Sequence, residues 1–197
     1  MKGLFDFIIT PKGKRYNNTK QVGDTELILN ASVEDHLMIN RIGIVKALPS
    51  VGETNIQVGD EVILHHNVFR RWYDAHGNEK NSRSFIDEHT YCVSSEQIFL
   101  YKHKDKWIAP DDYCFVKPIK SYDKLSDDKE QPLIGILKYS NNALDALGLT
   151  ENTLVGFSPY SKFEFVIERE RLYRVLTNSI TIKYEYQGQE EEYNPSW

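Results

Sequence analysis

The chain repeats itself at long range and in order, and this limits its fold more than any other feature. Ile42-Gly43-Ile44-Val45-Lys46 returns as Ile134-Gly135-Ile136-Leu137-Lys138. The stretch from Phe85 to Val93, with Gln97 to Lys102 behind it, returns as Val166 to Val175 with Ser179 to Tyr184. The opening run Asp6-Phe7-Ile8-Ile9-Thr10-Pro11 has a counterpart in Tyr113-Cys114-Phe115-Val116-Lys117-Pro118. Three echoes in one order predict a duplicated domain. So long a period indicates two folded domains, because solenoid units are shorter and must stack to be stable.

The offsets locate the differences between the copies. Pro11 to Pro118 is 107, Gly43 to Gly135 is 92, and Ile98 to Ile180 is 82. The first copy therefore carries fifteen extra residues between Pro11 and Gly43, and ten between Leu64 and Tyr91. The predicted domains are residues 1–104 and 110–197, joined by a charged, exposed linker, Lys102 to Asp111, that contains Pro110.

Within each copy, short β-branched and aromatic runs recur between turn signals, so the expected fold is all-β, a small barrel or sandwich in each half. In the first copy, residues 4 to 10, Ile42 to Leu48, Val62 to Leu64, Tyr91 to Val93 and Ile98 to Leu100 read as strands. Val58-Gly59-Asp60-Glu61 reads as a turn, and Asp74 to Glu79 as a hairpin-like tip. The segment Ala143 to Gly148 is the one plausible helical turn, too short to stand alone.

Composition narrows the function. Across 197 residues, 40% hydrophobic and 12% aromatic content implies globular domains, and a net charge of −5 offers no general attraction to nucleic acid or to an anionic membrane. No apolar run reaches the roughly 18 residues of a membrane span, and Asp6 interrupts any signal-peptide core, so a cytoplasmic protein is expected. Cys92 and Cys114 read as buried small hydrophobes on strands. No nucleophile elbow, phosphate loop, zinc-protease helix or Cys-x-x-Cys pair is present, and the carboxylates are scattered over turns and tails. Neither enzyme activity nor a cofactor is expected. Adjacent His65 and His66 point to opposite faces of a strand, and His76 and His89 stand at no recognised ligand spacing, so no metal site is expected.

One tripeptide stands apart. Leu27-Ile28-Leu29 lies inside a long polar stretch between Arg15 and Asn40. It reads either as a binding element on a flexible loop or as a core strand after a hairpin turn at Val22-Gly23-Asp24-Thr25. The matching stretch of the second copy, Ser121 to Gln131, lacks it, although a core strand should not be dispensable in one copy. Arg70, Arg71, Trp72 and Tyr73 form a second unusual cluster. Arg and aromatic residues are favoured at interface centres, and such a cluster equally suits a loop laid over the domain. The tail from Glu190 to Trp197 is acidic and reads as solvated, with Trp197 as a docking candidate.

Taken in order, Phe7-Ile8-Ile9, the polar loop with its aliphatic tripeptide, Arg41-Ile42-Gly43-Ile44-Val45, Val58-Gly59-Asp60-Glu61-Val62-Ile63, Ile86-Asp87-Glu88-His89-Thr90-Tyr91 and Gln97-Ile98 resemble the GroES-type co-chaperonin family. The resemblance implies two tandem GroES-like small β-barrels. It also implies a loop at about residues 12–40 whose Leu27, Ile28 and Leu29 grip the apical-domain groove of a chaperonin, and self-association into a ring. The second copy departs from the pattern: its loop is short, and Glu151-Asn152-Thr153 stands where the first has Gly59-Asp60-Glu61. The competing expectation is a structural or adaptor protein of a larger assembly, such as a virion, that reuses the same barrel.

Overall fold

The computed structural model describes residues 2–17, 19–28, 38–123 and 129–194. The chain is mainly β, with antiparallel sheets and almost no helix, and divides into two compact units, Met1–Lys106 and Trp107–Trp197.

The strands up to the boundary are β1 (Phe7–Pro11), β2 (Thr19–Val22), β3 (Thr25–Ile28), β4 (Ile42–Ala47), β5 (Glu61–Leu64), β6 (Arg71–Tyr73), β7 (Glu79–Asn81), β8 (Phe85–Asp87), β9 (Thr90–Val93), β10 (Ile98–His103) and β11 (Lys106–Ile108), the last of which straddles it. Seven of them form one sheet in the order β11-β10-β5-β4-β1-β9-β8. The remaining four form two separate hairpins, β2 with β3 and β6 with β7. These hairpins fall inside the two insertions that the offsets located.

The second unit contains β12 (Tyr113–Lys120), β13 (Glu130–Tyr139), α1 (Asn142–Asp145), β14 (Leu154–Phe157), β15 (Phe163–Ile167), β16 (Glu170–Leu176) and β17 (Ile180–Tyr184). Its sheet order is β15-β16-β12-β13-β14-β17. Read from the other end, this is the order of the first unit without β11. Neither ladder closes on itself among the described residues.

The repeat extends to register. Pro11 pairs with Gly43 as Pro118 pairs with Gly135, and Ile9 pairs with Tyr91 as Val116 pairs with Tyr173. Ile98 faces Leu64 and Leu100 faces Ile63, with Phe99 bulged out between them; Ile180 faces Phe157 and Ile182 faces Gly156, with the same irregularity. A slip of one residue would turn every side chain to the wrong face, so a buried face on each strand fixes the register. The buried sets correspond. Phe7, Ile9, Val45, Val62, Leu64, Tyr91 and Val93 become Cys114, Val116, Leu137, Val155, Phe157, Tyr173 and Val175. Burying each large apolar side chain stabilises its unit by about 1.5–3 kcal/mol.

The two glycines that anchor the repeat have a steric reason. A Cβ on Gly43 would lie 2.4 Å from the Ile9 Cγ2, and one on Gly135 would lie 2.4 Å from the Val116 Cγ1 and from the Lys117 carbonyl oxygen. Ile9 and Val116 are equivalent positions, so each glycine makes room for the same core side chain.

Elsewhere the structure refines the sequence reading. β1 begins at Phe7 rather than residue 4, because Gly3 bridges to Pro49 and leaves Leu4 and Phe5 exposed. The turn before β5 aligns one residue later than expected. Gly59 donates to the Val45 carbonyl and accordingly Asn152, not Glu151, donates to the Leu137 carbonyl. Both residues have positive φ, 96° and 66°, and Asn is among the few side chains that tolerate this conformation.

The stretch Lys102 to Asp111 is not an exposed tether. Lys104 and Asp105, with φ of 50° and 63°, form a tight turn between β10 and β11, and Trp107 and Ala109 are buried. Positive φ at both central residues gives the turn type whose twist suits a hairpin.

Cys114 is fully buried on β12 and Cys92 half-buried on β9, both as thiols. The α-helical turn α1 starts one residue before the expected segment. Asn141 caps it by accepting from the Leu144 amide at 2.9 Å, and its own amide donates to the Tyr113 carbonyl and the Thr177 hydroxyl, both at 2.7 Å. No helix among the described residues is long and apolar enough to cross a membrane.

Candidate binding site

The long insertion leaves β1 and returns to β4 through a defined neck. Asn17 donates to the Met38 carbonyl at 2.7 Å, Asn40 donates from its backbone to the Arg15 carbonyl at 3.1 Å, and Tyr16 bridges to Ile39. Asn40 closes the base. Its side-chain amide donates to the Lys12 and Lys14 carbonyls at 2.9 and 2.8 Å, and its oxygen accepts from the Ile42 amide at 2.9 Å. A buried amide is retained only when its hydrogen bonds are made, and here both ends of the side chain are used.

Beyond the neck, β2 and β3 pair in the order Thr19 with Ile28, Lys20 with Leu27, Gln21 with Glu26 and Val22 with Thr25. Gly23, with φ of 59°, starts the two-residue turn, a position where a side chain would be strained. Positions two apart share a face of a strand, so Val22 and Leu27 lie diagonally on one face of this hairpin. Val22 is 51% exposed and Leu27 49%. The structure thus combines parts of both sequence expectations: Leu27 is on a strand after the anticipated turn, but that strand lies outside the seven-stranded sheet and its side chain is not in the core. Leu29 lies outside the described residues, as does Trp197.

The second insertion is the β6–β7 hairpin, where Arg71 pairs with Asn81, Trp72 with Lys80 and Tyr73 with Glu79. Its tip is closed by Asp74, whose carboxylate accepts from the amides of His76 and Asn78 at 2.9 Å each. Those hydrogen bonds, the Asn78 amide first, hold the Asp74 carboxyl below its ordinary pKa. Of the four residues singled out from the sequence, Arg70, Arg71 and Trp72 are half-buried and Tyr73 is 49% exposed. The Arg70 guanidinium lies over the Trp72 ring at 5.8 Å.

Arg15 ties the two insertions together. The residue is only 8% exposed, and its guanidinium donates to the Phe69 carbonyl at 2.7 Å, the Arg70 carbonyl at 3.2 Å and the Asn81 side-chain oxygen at 2.7 Å. A longer ion pair of 3.6 Å reaches Glu88, and the cation faces the rings of Phe85 at 5.1 Å and Tyr91 at 5.5 Å. Burial pulls the Arg15 pKa down from its ordinary value, while Tyr91 and Glu88 push it back. The group stays charged at neutral pH. Beside it, the Tyr16 hydroxyl accepts from the Arg71 amide at 2.8 Å, and the Arg71 guanidinium sits 5.0 Å from the Tyr16 ring. Arg15, Tyr16, Asn40 and Asn81 carry no motif. Their one sequence signal is that Arg15 and Tyr16 open the inserted stretch and Asn40 closes it.

The second unit builds something different around its equivalent tyrosine. Tyr173 donates to Glu130 at 2.7 Å; Lys162 also binds Glu130, at 2.7 Å, and lies 4.1 Å over the Tyr173 ring. Arg171 joins Glu164 at 2.8 Å and the Tyr173 hydroxyl at 2.8 Å. A cation against this ring is thus common to both units, but only in the first does it connect to inserted hairpins. The acidic tail is partly structured: the Lys120 amide donates to the Glu191 carbonyl at 2.8 Å and the Tyr193 amide to the Pro118 carbonyl at 2.9 Å, while Lys117 pairs with Glu192 at 2.9 Å.

His65 and His66 stack on each other at 4.3 Å, and among the described residues no three His, Cys, Asp or Glu side chains are arranged to hold a metal ion. No protein-family model matches the chain, and no curated protein matches it.

Proposed function

We infer that the chain is a tandem co-chaperonin of the GroES type, each unit being a small barrel of that kind, and that it caps an ATP-driven chaperonin cage. One observation carries this reading. The β2–β3 hairpin stands outside the main sheet, leaves Val22 and Leu27 about half exposed, and has no counterpart among the described residues of the second unit. Apolar side chains held out on a projecting element favour binding to an apolar groove. One such contact is weak; a ring of copies multiplies it through effective concentration and keeps it reversible.

Leu27, Ile28 and Leu29 would make the contact. The second unit would serve as a structural layer of a ring in the cytoplasm, with no catalytic or cofactor role. Replacing Leu27, Ile28 and Leu29 together by Ser should abolish co-elution with a chaperonin in ATP and leave circular dichroism unchanged; retained co-elution would overturn the assignment.

A second reading, an adaptor within a larger assembly such as a virion, is favoured by the β6–β7 hairpin, whose exposed Tyr73 sits beside half-buried Arg and Trp. An assay of chaperonin-assisted refolding separates the two. An adaptor would leave both substrate yield and ATPase rate unchanged.

A further inference from the structure

We propose that the two insertions of the first unit act as a single recognition element, with Arg15 as the positioning residue that sets how the β2–β3 hairpin is presented. The inference rests on the co-chaperonin reading only for the identity of the partner; the coupling itself stands on geometry.

Two short hairpins outside the main sheet would ordinarily move independently, because an isolated two-stranded hairpin is marginal in water. Here the neck of one is bonded to the base of the other from both sides. Arg15, on the outgoing strand of the neck, donates to Phe69 and Arg70 just before β6 and to Asn81 at the end of β7. Tyr16, the next residue, accepts from Arg71 at the start of β6. The contacts span 54 to 66 residues of sequence and touch both strands of the β6–β7 hairpin. The guanidinium is also held by the rings of Phe85 and Tyr91 on β8 and β9, which anchors the joint to the main sheet.

A planar fork with several fixed donors does this where an ammonium cannot. A loop that must bind through a small apolar surface loses less entropy if its neck is already oriented, so the joint raises affinity without touching the partner. The second unit, which shows neither hairpin among its described residues, has its cations at the equivalent tyrosine turned to carboxylates instead.

The test is hydrogen exchange on the full chain, followed by segment, in wild type, Arg15→Lys, Asn81→Ala and Asn81→Asp. Arg15→Lys and Asn81→Ala should speed exchange in both residues 19–28 and 71–81, by about tenfold for a lost charge-assisted hydrogen bond, with the second unit unchanged. Asn81→Asp keeps an acceptor and should restore protection in both hairpins. Chaperonin binding in ATP should weaken severalfold in Arg15→Lys and Asn81→Ala and recover in Asn81→Asp. Loosening of one hairpin without the other, or failure of Asn81→Asp to restore both, would overturn the coupling. If wild type binds no chaperonin while the hairpins still loosen and recover together, the coupling stands and the co-chaperonin reading falls.

Discussion

The Arg15 Nε lies 2.7 Å from the carbonyl oxygen of Phe69, so the residue that opens the first insertion is bonded directly to a residue two positions ahead of β6 in the second. Two segments that look unrelated in the sequence share one joint. Breaking it removes the Arg15 donor from the Phe69 carbonyl, while the Arg70 carbonyl keeps the Ser82 amide.

Adding a methyl group at the paired glycines should damage the units separately. Gly43→Ala must displace Ile9, and Gly135→Ala must displace both Val116 and the Lys117 backbone. Overpacking of this kind costs about 1–3 kcal/mol. Urea denaturation should show the loss for each variant, with the larger one for Gly135→Ala because backbone gives way less readily than a side chain.

Val22→Ser and Leu27→Ser should be close to neutral for folding. Both side chains are about half exposed on a hairpin outside the core, and surface changes of this sort fall within about 0.5 kcal/mol. A loss above about 1 kcal/mol in chemical denaturation would mean that these side chains are buried in the free protein.

Asn141→Ala should destabilise the second unit by about 2–3 kcal/mol. It removes the helix cap and leaves the Tyr113 carbonyl and the Thr177 hydroxyl without their 2.7 Å donor. Exchange rates of the amides around Leu144 would report the effect directly.

Acid should weaken the second unit through Glu130. Burial pushes its carboxyl up, but hydrogen bonds from Lys162 and Tyr173, with the charges of Lys162 and Arg171, outweigh this and hold it below its ordinary 4.5. The unfolded chain therefore takes up the proton first as pH falls. The stabilisation is present above 4.5 and is lost as pH drops from there through the lower folded value. Glu130→Gln should flatten that part of the pH–stability curve.

The two thiols should separate by reactivity. Burial pushes Cys114 up to about 12, whereas Cys92 is half-buried and raised less, by burial and by Asp6. Iodoacetamide at mildly alkaline pH should modify Cys92 and spare Cys114 until the chain unfolds, since only the thiolate reacts. Equal labelling rates in the native protein would contradict the packing of β12.

What could be read from the sequence followed the physics of the strands. Gly43 and Gly135 marked the repeat because each clears space for a core side chain, and the offsets between echoes located both hairpins as insertions. The turn at Lys104 and Asp105 gave little signal, because Lys104 is no left-handed former and no glycine accompanies Asp105, so the hairpin is set by the strands around it. The joint at Arg15 was equally hidden. Its partners lie more than fifty residues away, and carbonyl acceptors have no residue identity to read. Leu27 was visible as an apolar residue in polar company, but whether it faced core or solvent depended on which strands paired with β3.

The identical bulge after Ile98 and after Ile180 has a further consequence. Because both ladders keep one stagger whatever is spliced between their strands, the frame tolerates large changes in its connections. The two hairpins, joined at Arg15, are attachments on a fixed chassis, and the plainer half marks where others could be fitted.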